Sequence, residues 1–365
     1  VVYIIGFILF FIFAIFVDLS KIAKQTKGRL LFVTLGAIAL MVGFREPRIW
    51  NDSMVYLVSF QNASTLETLS LTDVPIGYSE FGFYLIGVIL KTIVDNSVIY
   101  FVFISALTFF FLYCFLKEYC LFPLIGLCIY MGRFLVGRNM MQIRAALAIA
   151  IILLATKYVT EKKLWKFLLV VVIGYCIHHS MLLVIPLYFI SKIKIKKIHI
   201  VLGLCVAFVV AGYFSSTIIG LMRGSDFVNE MAVSYVQEGG RFAYSSSLAN
   251  PMIYYQSLVL LIFTFFENQL SRYTPHYYTI RNAYFFGTIL LIVLCSFAVV
   301  AARTSTIFAT YEIIIIPLFI LLFNKQNRFL PILIILVLFS IFFALNWKPV
   351  ELSDFELNNA IMHSN

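Results

Sequence analysis

Charged residues are scarce in this sequence. Asp, Glu, Lys and Arg together make up 12% of its 365 residues, whereas a soluble domain carries roughly 25%, and this difference excludes an ordinary soluble protein. The mean hydropathy is +0.99, and the apolar residues come in blocks long enough to cross a hydrocarbon core, about 20 helical residues each. We therefore predict an all-α polytopic integral membrane protein.

Three further absences narrow the class. Runs such as 313–316, four consecutive isoleucines, lack the strict alternation of a transmembrane barrel. The six cysteines form no CxxC pair, which argues against a disulfide framework or a structural zinc site. No internal repeat and no soluble domain is visible, so we predict a single transmembrane domain over residues 1–365.

The net charge of +10 does not indicate a nucleic-acid partner. Most lysines lie in short clusters between apolar blocks, as the positive-inside rule expects of cytoplasmic loops. The first apolar block has no basic region before it and lacks a convincing cleavage site. We therefore expect a membrane helix there rather than a removed signal peptide.

The apolar blocks predict about ten transmembrane helices and two shorter segments. The lysine and arginine clusters place both termini in the periplasm, and they place the loops 45–79 and 223–251 at the outer face. The predicted helices span residues 1–17, 30–44, 81–94, 98–116, 140–158, 200–222, 252–268, 283–301, 304–323 and 329–346.

The first shorter segment is 119–132. Three full crossings after the loop 45–79 would put Arg138 inside, whereas the lysines that end helix 140–158 place this arginine outside. About 14 helical residues span only about 21 Å. We therefore predict a re-entrant or half-crossing piece, which must be covered by protein or by a watery cavity.

The second shorter segment is 167–190, which has lysines on both flanks. A single crossing would leave one lysine cluster outside. A shallow hairpin would keep both ends inside, with His178 and His179 at its apex. We favour the hairpin and retain the single crossing as the alternative.

Three arginines, Arg138, Arg144 and Arg303, map to outer helix ends. An arginine in or near a bilayer is costly and usually lines an aqueous cavity or a binding site. We expect Arg144 about one turn inside its helix, Arg138 at the rim, and Arg303 in a tight turn before the N-cap types Thr304 and Ser305. Such positions suit phosphate or pyrophosphate; snorkelling to the lipid headgroups is the structural alternative.

His178 and His179 are the only histidines in an apolar segment. A neutral imidazole near pH 7 can act as a general base for a hydroxyl, although such a histidine is often only a hydrogen-bonded packing residue. Two adjacent histidines do not share a helix face, and no carboxylate lies near them in sequence. We therefore predict no metal site.

A polar rim suited to carbohydrate is predicted in the first outer loop. Asp52 and Tyr56 are four residues apart and can share one face of a helix, with Arg45 beside them; a solvated loop is the alternative. Glu80, ahead of a predicted helix, and Glu312, inside one, are further candidates. An intramembrane glutamate most often pairs with an arginine or the backbone.

Five sequence patterns follow one another along most of the chain. They are Arg45 to Tyr56 through Trp50-Asn51-Asp52, Tyr78-Ser79-Glu80-Phe81-Gly82-Phe83, Gln142-Ile143-Arg144-Ala145-Ala146-Leu147-Ala148, Ile177-His178-His179-Ser180-Met181-Leu182, and Arg303 to Pro317 through Tyr311. Their order and spacing resemble the EpsG-like group of bacterial polysaccharide polymerases, which overlaps with the Wzy-type O-antigen polymerases. In that group the patterns read R…G-x-D…Y, E-x-G-[FY], I-R-Q-A-L-A, F-H-x-S-A-L and R…Y…P. Among the differences, Trp50 stands where Gly is common and Ala145 replaces the Gln.

The resemblance implies a helical bundle like that of C-type glycosyltransferases, in the bacterial inner membrane. It also implies polymerisation at the periplasmic face. A growing glycan on undecaprenyl pyrophosphate would be transferred to the terminal sugar of a new lipid-linked repeat unit. Donor and acceptor are then both lipid-linked, membrane lipids and a chain-length regulator are the expected partners, and no cofactor or metal is expected.

The resemblance also implies roles for individual residues. His178 would deprotonate the acceptor hydroxyl, and arginines would stabilise the charge on the departing pyrophosphate. The implied catalytic residues are His178, Arg144 and Arg303; the pyrophosphate-binding residues are Arg138, Arg144 and Arg303; the sugar-binding residues are Arg45, Asp52, Tyr56 and Glu80.

Three other functions are compatible with parts of the sequence. A transporter or flippase of lipid-linked sugar would also need outer arginines, but many such folds show paired repeats. A membrane O-acyltransferase of the polysaccharide would use His and Arg, but an early-helix His-Arg signature is missing. A structural subunit of the export machinery would not need intramembrane Arg and His.

Overall fold

The computed structural model describes residues 2–50, 52–70, 80–191, 193–214 and 248–347. Within these ranges the chain is helical and contains no strand. The α-helices are α1 (Val2–Leu19), α2 (Lys24–Gly43), α3 (Ser53–Gln61), α4 (Phe81–Ile93), α5 (Ser97–Tyr119), α6 (Pro123–Tyr130), α7 (Ile143–Leu153), α8 (Thr156–Thr160), α9 (Leu164–Ile177), α10 (Ile185–Ile190), α11 (Lys197–Tyr213), α12 (Pro251–Phe265), α13 (Glu267–Leu270), α14 (Tyr277–Val293), α15 (Ala298–Ala309), α16 (Glu312–Leu318) and α17 (Phe329–Asn346). A π-helix at Met131–Met141 follows α6 directly, and a 3₁₀ helix at His179–Val184 precedes α10.

The described residues contain five helices that are long and apolar enough to cross a membrane, or six if the bent pair α15 and α16 forms one span. This agrees with a multi-pass membrane protein. The predicted number of about ten spans is not reproduced, because several apolar helices, among them α4, α9, α11 and α12, are only 13 to 17 residues long.

The chain forms two compact units. The first comprises Val1–Tyr158, Lys163–Ile185 and Phe323–Asn365, and the second comprises Val159–Lys162 and Pro186–Leu322. The single transmembrane domain over 1–365 stays a prediction.

In the first unit, α2 and α5 pack antiparallel and define two ends of the bundle. Gly43 lies directly against Val102 near the start of α5, where a Cβ would come within 2.6 Å of the Val102 Cα. At the other end, Gly28 faces Lys117 near the end of α5. We call these the Gly43 end and the Gly28 end. Only a residue without a side chain permits the close approach at Gly43.

The segment from Pro123 to Met141 runs from one end to the other. At its start, Asp18 Oδ2 accepts hydrogen bonds from the backbone amides of Leu124 (2.8 Å) and Ile125 (2.9 Å), and Lys27 Nζ holds the Asp18 carbonyl at the Gly28 end.

The far end of the same segment lies just beyond Gly43. Ser53 Oγ donates to the Met140 carbonyl at 2.6 Å and accepts a hydrogen bond from Arg45 Nε at 3.1 Å. The predicted half-crossing at 119–132 is therefore wrong: the helix does not stop at 132 but continues as a π-helix to the opposite end.

Helix α4 does not connect the two ends, although its residues 81–94 were predicted to cross. Thr92 Oγ1 accepts a hydrogen bond from the Leu66 amide, Tyr84 bonds Ser64, and the chain enters α5 at the Gly43 end only three residues after α4. Since α4 also begins beside α7 at that end, both its ends lie on one side. Without a crossing at 81–94, only α5 and the segment from Pro123 to Met141 lie between the loop 45–79 and Arg138. Two crossings return the chain to the end it left, so the half-crossing is not needed to place Arg138 outside.

The hairpin predicted for 167–190 is confirmed. Met181 Cγ lies 3.2 Å from the position of a Gly174 Cβ, whereas seven residues of straight helix would separate these two residues by about 10 Å. In the second unit, Tyr188 Oη donates to the Lys162 carbonyl at 2.7 Å. The segment thus returns to the place it left, and the single crossing is excluded.

The second unit holds α10 to α16. Arg281, fully buried, donates to Glu267 Oε2 at 2.9 Å and to the Ile195 carbonyl at 2.6 Å, which ties α14 to α13 and to the segment before α11. Most of the predicted outer loop 223–251 lies outside the described residues, and so does the tail after Trp347.

Candidate active site

A buried carboxylate, Glu80, holds together three distant parts of the first unit. Its Oε2 lies 2.6 Å from Nη1 of Arg144 at the start of α7. Its Oε1 lies 2.8 Å from Nδ1 of His178 and accepts a hydrogen bond from the backbone amide of His179 at 3.0 Å. The side chain of Glu80 is 5% exposed, whereas those of Arg144 and His178 are 16% and 20% exposed. A buried carboxylate thus supports two partners that can reach a substrate.

The close approach of α4 and α9 positions this centre. A Cβ on Gly82 would lie 2.5 Å from the Cys176 carbonyl oxygen, a distance that side-chain carbons do not adopt. Gly82 therefore lets the first turn of α4 lie against the last turn of α9. As a result Glu80, two residues earlier, reaches His178, two residues after Cys176.

The break in the hairpin turns His178 towards Glu80. Helix α9 ends at Ile177, and His178 adopts an extended conformation with φ −155° and ψ 116°. The amide of His179 consequently leaves the helical ladder and donates to Glu80. The His179 ring instead stacks on Tyr175, with centroids 4.6 Å apart. The structure thus gives the two histidines different surroundings.

The surroundings of Glu80 keep it ionised. Burial by itself raises the pKa of this carboxyl, because a charge is poorly solvated away from water. The hydrogen bond from His178 and the positive charge of Arg144 act in the opposite direction and prevail, so the pKa is lowered from 4.5 to about 2. Glu80 was predicted to bind sugar; the structure places it behind His178 and Arg144.

The other residues predicted to bind sugar are more buried than a solvated rim would be. Arg45 is buried, stacks over the Phe101 ring at 4.4 Å and donates to Ser53 and to the Val42 carbonyl. Tyr56 is buried against Phe83, with centroids 5.9 Å apart. Asp52, at the start of α3, is partly exposed.

Arg138 lies on the π-helix and is 5% exposed, so the expected rim position is wrong. Its guanidinium carbon lies 4.2 Å from the centroid of the Phe134 ring. Arg133 contacts the same ring at 5.4 Å and Phe342 at 5.8 Å. Residues five apart are rotated by about 140° in an α-helix, whereas the i to i+5 hydrogen bonds of a π-helix bring them to one side.

Arg133 is a candidate that the sequence reasoning missed. The only sequence signal was a third arginine in the same apolar stretch as Arg138 and Arg144. The α-helical periodicity assumed for that stretch separates Arg133 from Arg138. Arg144 was expected one turn inside its helix but is the second residue of α7, which places it close to the polar turn at Gln142.

Arg303 does not lie in a turn. It is inside α15 (Ala298–Ala309), and the chain bends by 58° only after this helix. The hydroxyl of Thr304 donates to the Val300 carbonyl, and that of Ser305 faces the Ala302 carbonyl; neither caps a helix. Arg303 belongs to the second unit, and its predicted convergence with Arg138 and Arg144 stays a prediction.

Glu312 is completely buried at the start of α16. It accepts hydrogen bonds from Tyr255 at 3.2 Å and Tyr284 at 3.0 Å. These hydrogen bonds hold the Glu312 side chain between α12, α14 and α16 of the second unit. Among the described residues, no group of three or more His, Cys, Asp or Glu side chains is arranged to hold a metal ion.

These features define a multi-pass helical membrane protein with a charged centre at one end of its helices. The chain belongs to the EpsG family, which it matches over residues 28–358, nearly its whole length. This is a family of Wzy-like polymerases, so at family level the protein is a membrane polymerase of the glycosyltransferase type that acts in polysaccharide biosynthesis. No curated protein and no solved structure matches the chain.

Proposed function

We propose that the protein polymerises undecaprenyl-pyrophosphate-linked oligosaccharide repeat units into a surface polysaccharide such as O-antigen. The Gly43 end would face the periplasm of a bacterial inner membrane. The contact between Glu80 and His178 carries this proposal, because it gives a partly exposed imidazole a fixed orientation and an anionic partner. A general base for a sugar hydroxyl needs both.

The protonation of the imidazole follows from the charge of its partner. An ionised carboxylate can only accept hydrogen bonds, so Nδ1 of His178 carries a proton and donates it to Glu80. In the reaction the imidazole would be neutral, with Nε2 as the base. Nε2 would take the proton of the acceptor hydroxyl as the acceptor oxygen attacks the anomeric carbon of the donor. The carboxylate of Glu80 would then stabilise the imidazolium, as an acid behind a catalytic histidine does.

The departing group is the pyrophosphate of the donor lipid. The bond between the anomeric carbon and the pyrophosphate oxygen breaks, and negative charge builds on that oxygen. Arg144, next to His178 through their shared partner, would stabilise this charge, since preorganised donors act most strongly where charge develops. A planar guanidinium can bind a carboxylate and a phosphate along different edges.

Arg133 and Arg138 would bind the same class of group. Both guanidinium groups contact the Phe134 ring, and a guanidinium whose face contacts an aromatic ring can bind a phosphate through its N–H groups. Asn346 Nδ2 donates to the carbonyl of Gly132, and Gly132 also lies against Phe339, so the pair lies beside the last two turns of α17. Just beyond these turns Trp347 contacts Trp50, and tryptophans cluster at headgroup depth, where a lipid pyrophosphate also resides.

Arg303 and the sugar-binding residues complete the proposal. Arg303 remains a proposed pyrophosphate-binding residue, and Asp52, partly exposed at the start of α3, would contact sugar. Arg45 and Tyr56 would act by shaping the floor of that region. A chain-length regulator and membrane lipids are the proposed partners, with neither metal nor cofactor in the reaction.

The lipid-linked glycans of a deletion strain test the proposal. Loss of a polymerase leaves single repeat units on undecaprenyl pyrophosphate at the periplasmic face, and complementation restores the ladder of chain lengths. Repeat units trapped on the cytoplasmic leaflet would indicate a flippase instead. A complete ladder without acetyl groups would indicate an O-acyltransferase.

A further inference from the structure

A groove opens between α1 and α17 at the Gly28 end of the first unit. Its volume is about 730 Å³, within the range of roughly 300–1,000 Å³ of small-molecule sites. One wall is the part of α1 from Ile12 to Leu19, and the other is the start of α17 from Phe329 to Leu336. This groove lies at the opposite end from Glu80 and His178.

The two helices diverge to make the groove. Near the Gly43 end they are closed by aromatic contacts: Phe7 stacks on Phe343 with centroids 4.4 Å apart, and Tyr3 contacts Trp347 at 4.8 Å. Towards the Gly28 end these contacts stop and the groove begins. The groove is therefore wedge-shaped: it is narrow where the aromatic contacts begin and opens at the Gly28 end.

The dimensions fit one leaflet. Eight helical residues on each wall extend about 10 Å at 1.5 Å per residue, about a third of a 30 Å hydrocarbon core. The walls are apolar and open, with Phe16 72% and Phe329 71% exposed. At this depth the groove would take an acyl chain from the adjoining leaflet.

The mouth of the groove is positively charged. Lys325 and Arg328 lie there with Gln326, in the turn before α17; Lys325 is exposed and Arg328 partly exposed. A cation near a membrane surface favours an anionic lipid by roughly fivefold. Lys21 and Lys24 follow α1 on the same side, so the positive-inside rule assigns this mouth to the cytoplasmic leaflet.

We propose that this groove binds one anionic phospholipid, with an acyl chain between α1 and α17 and the headgroup phosphate held by Lys325 and Arg328. The site is separate from the polymerase centre, and the inference does not rest on the proposed reaction. Its ligand would stabilise the packing of the first and last helices of the first unit.

Native mass spectrometry of the full chain tests this proposal. The protein is released from nanodiscs of phosphatidylcholine that contain phosphatidylglycerol with the same acyl chains. We expect one phosphatidylglycerol per chain to be retained in preference to phosphatidylcholine. The double variant K325Q/R328Q should lower this preference at least roughly tenfold. L333W, which fills the groove and keeps both charges, should lose the bound lipid.

The variant K21Q/K24Q is the matched control, because it removes two exposed cations on the same side that do not line the groove; it should keep the preference. Unfolding temperatures in pure phosphatidylcholine identify any variant that fails to fold. If one of the two groove variants, K325Q/R328Q or L333W, fails to fold, the lipid retention of the other tests the proposal. Equal retention of the two lipids by the wild type would overturn the proposal. The proposal would also be overturned if K325Q/R328Q kept the full preference for phosphatidylglycerol, or if a second copy of the protein occupied the groove instead of a lipid.

Discussion

Nδ1 of His178 lies 2.8 Å from Oε1 of Glu80, although the two residues are 98 positions apart in the chain. The contact joins the tip of a hairpin to the start of a short helix that lies at one end of the bundle. Because Glu80 is buried and Arg144 holds its other oxygen, the carboxylate has little freedom. The relationship therefore fixes the position of the histidine and makes Nδ1 the hydrogen-bond donor to Glu80.

The first prediction concerns the coupling of these two residues. Glu80→Gln should reduce the polymerisation rate by roughly a hundredfold and His178→Ala by roughly 10²- to 10⁴-fold. The double variant should lose far less activity than the product of the two single losses, because the glutamate acts largely through the histidine. Rates are measured with purified protein and a synthetic lipid-linked repeat unit. If the two losses multiply in the double variant, the residues act independently.

The second prediction concerns Gly82. A methyl group there meets the Cys176 carbonyl at 2.5 Å, so Gly82→Ala must push α4 away from α9 and separate Glu80 from His178. We expect polymerisation to fall by at least roughly tenfold while the protein remains in the membrane. Gly36→Ala is the control, because a Cβ at Gly36 meets nothing within 4 Å. Equal activity of the two variants would show that the helix contact does not position the site.

The third prediction concerns acid stability. The pKa of Glu80 is lowered from 4.5 to about 2, so its ionised form stabilises the fold by about 3 kcal/mol above pH 4.5. This contribution decreases as the pH falls below 4.5 and is lost near pH 2. In detergent, the unfolding temperature should drop more between pH 7 and pH 3 for the wild type than for Glu80→Gln. Glu118→Gln should behave like the wild type, since Glu118 forms only an exposed pair with Lys157.

The fourth prediction concerns the arginines of the π-helix. Arg133→Ala and Arg138→Ala should each raise the KM for the lipid-linked donor by roughly tenfold or more, because a charge-assisted bond to phosphate contributes roughly 1.5–3 kcal/mol. Lysine at either position should restore only part of the affinity. Arg48→Ala, which removes an exposed arginine near the same end, is the control. An unchanged KM in both variants would exclude these arginines from substrate binding.

Several features of the fold follow from the sequence. The lysines on both flanks of 167–190 predict the hairpin, because charged flanks are expected on one side of a membrane, and the turn at His178 confirms it. For residues 81–94, hydropathy predicted a membrane crossing that the structure does not show. An apolar helix that packs on one end of a bundle has the same composition as one that crosses it, and the contacts of Tyr84 and Thr92 were not visible in the sequence.

The site is predictable in its members and less so in their arrangement. Glu80, Arg144 and His178 were each selected because charged or titratable groups are costly in an apolar chain. Their meeting depends on Gly82, which the sequence shows as the glycine of a family pattern but without its contact with Cys176. The proximity of Arg133 to Arg138 depends on a π-helix, whose hydrogen-bond register an α-helical periodicity cannot represent.

The most direct test of the account is the chain-length distribution of the polysaccharide in cells that carry His178→Ala. Membrane levels of this variant are matched to those of the wild type, and His179→Ala serves as the neighbouring control. We predict that His178→Ala leaves single repeat units and abolishes long chains, whereas His179→Ala retains a ladder. A normal ladder from His178→Ala would contradict the assignment of His178 as the base.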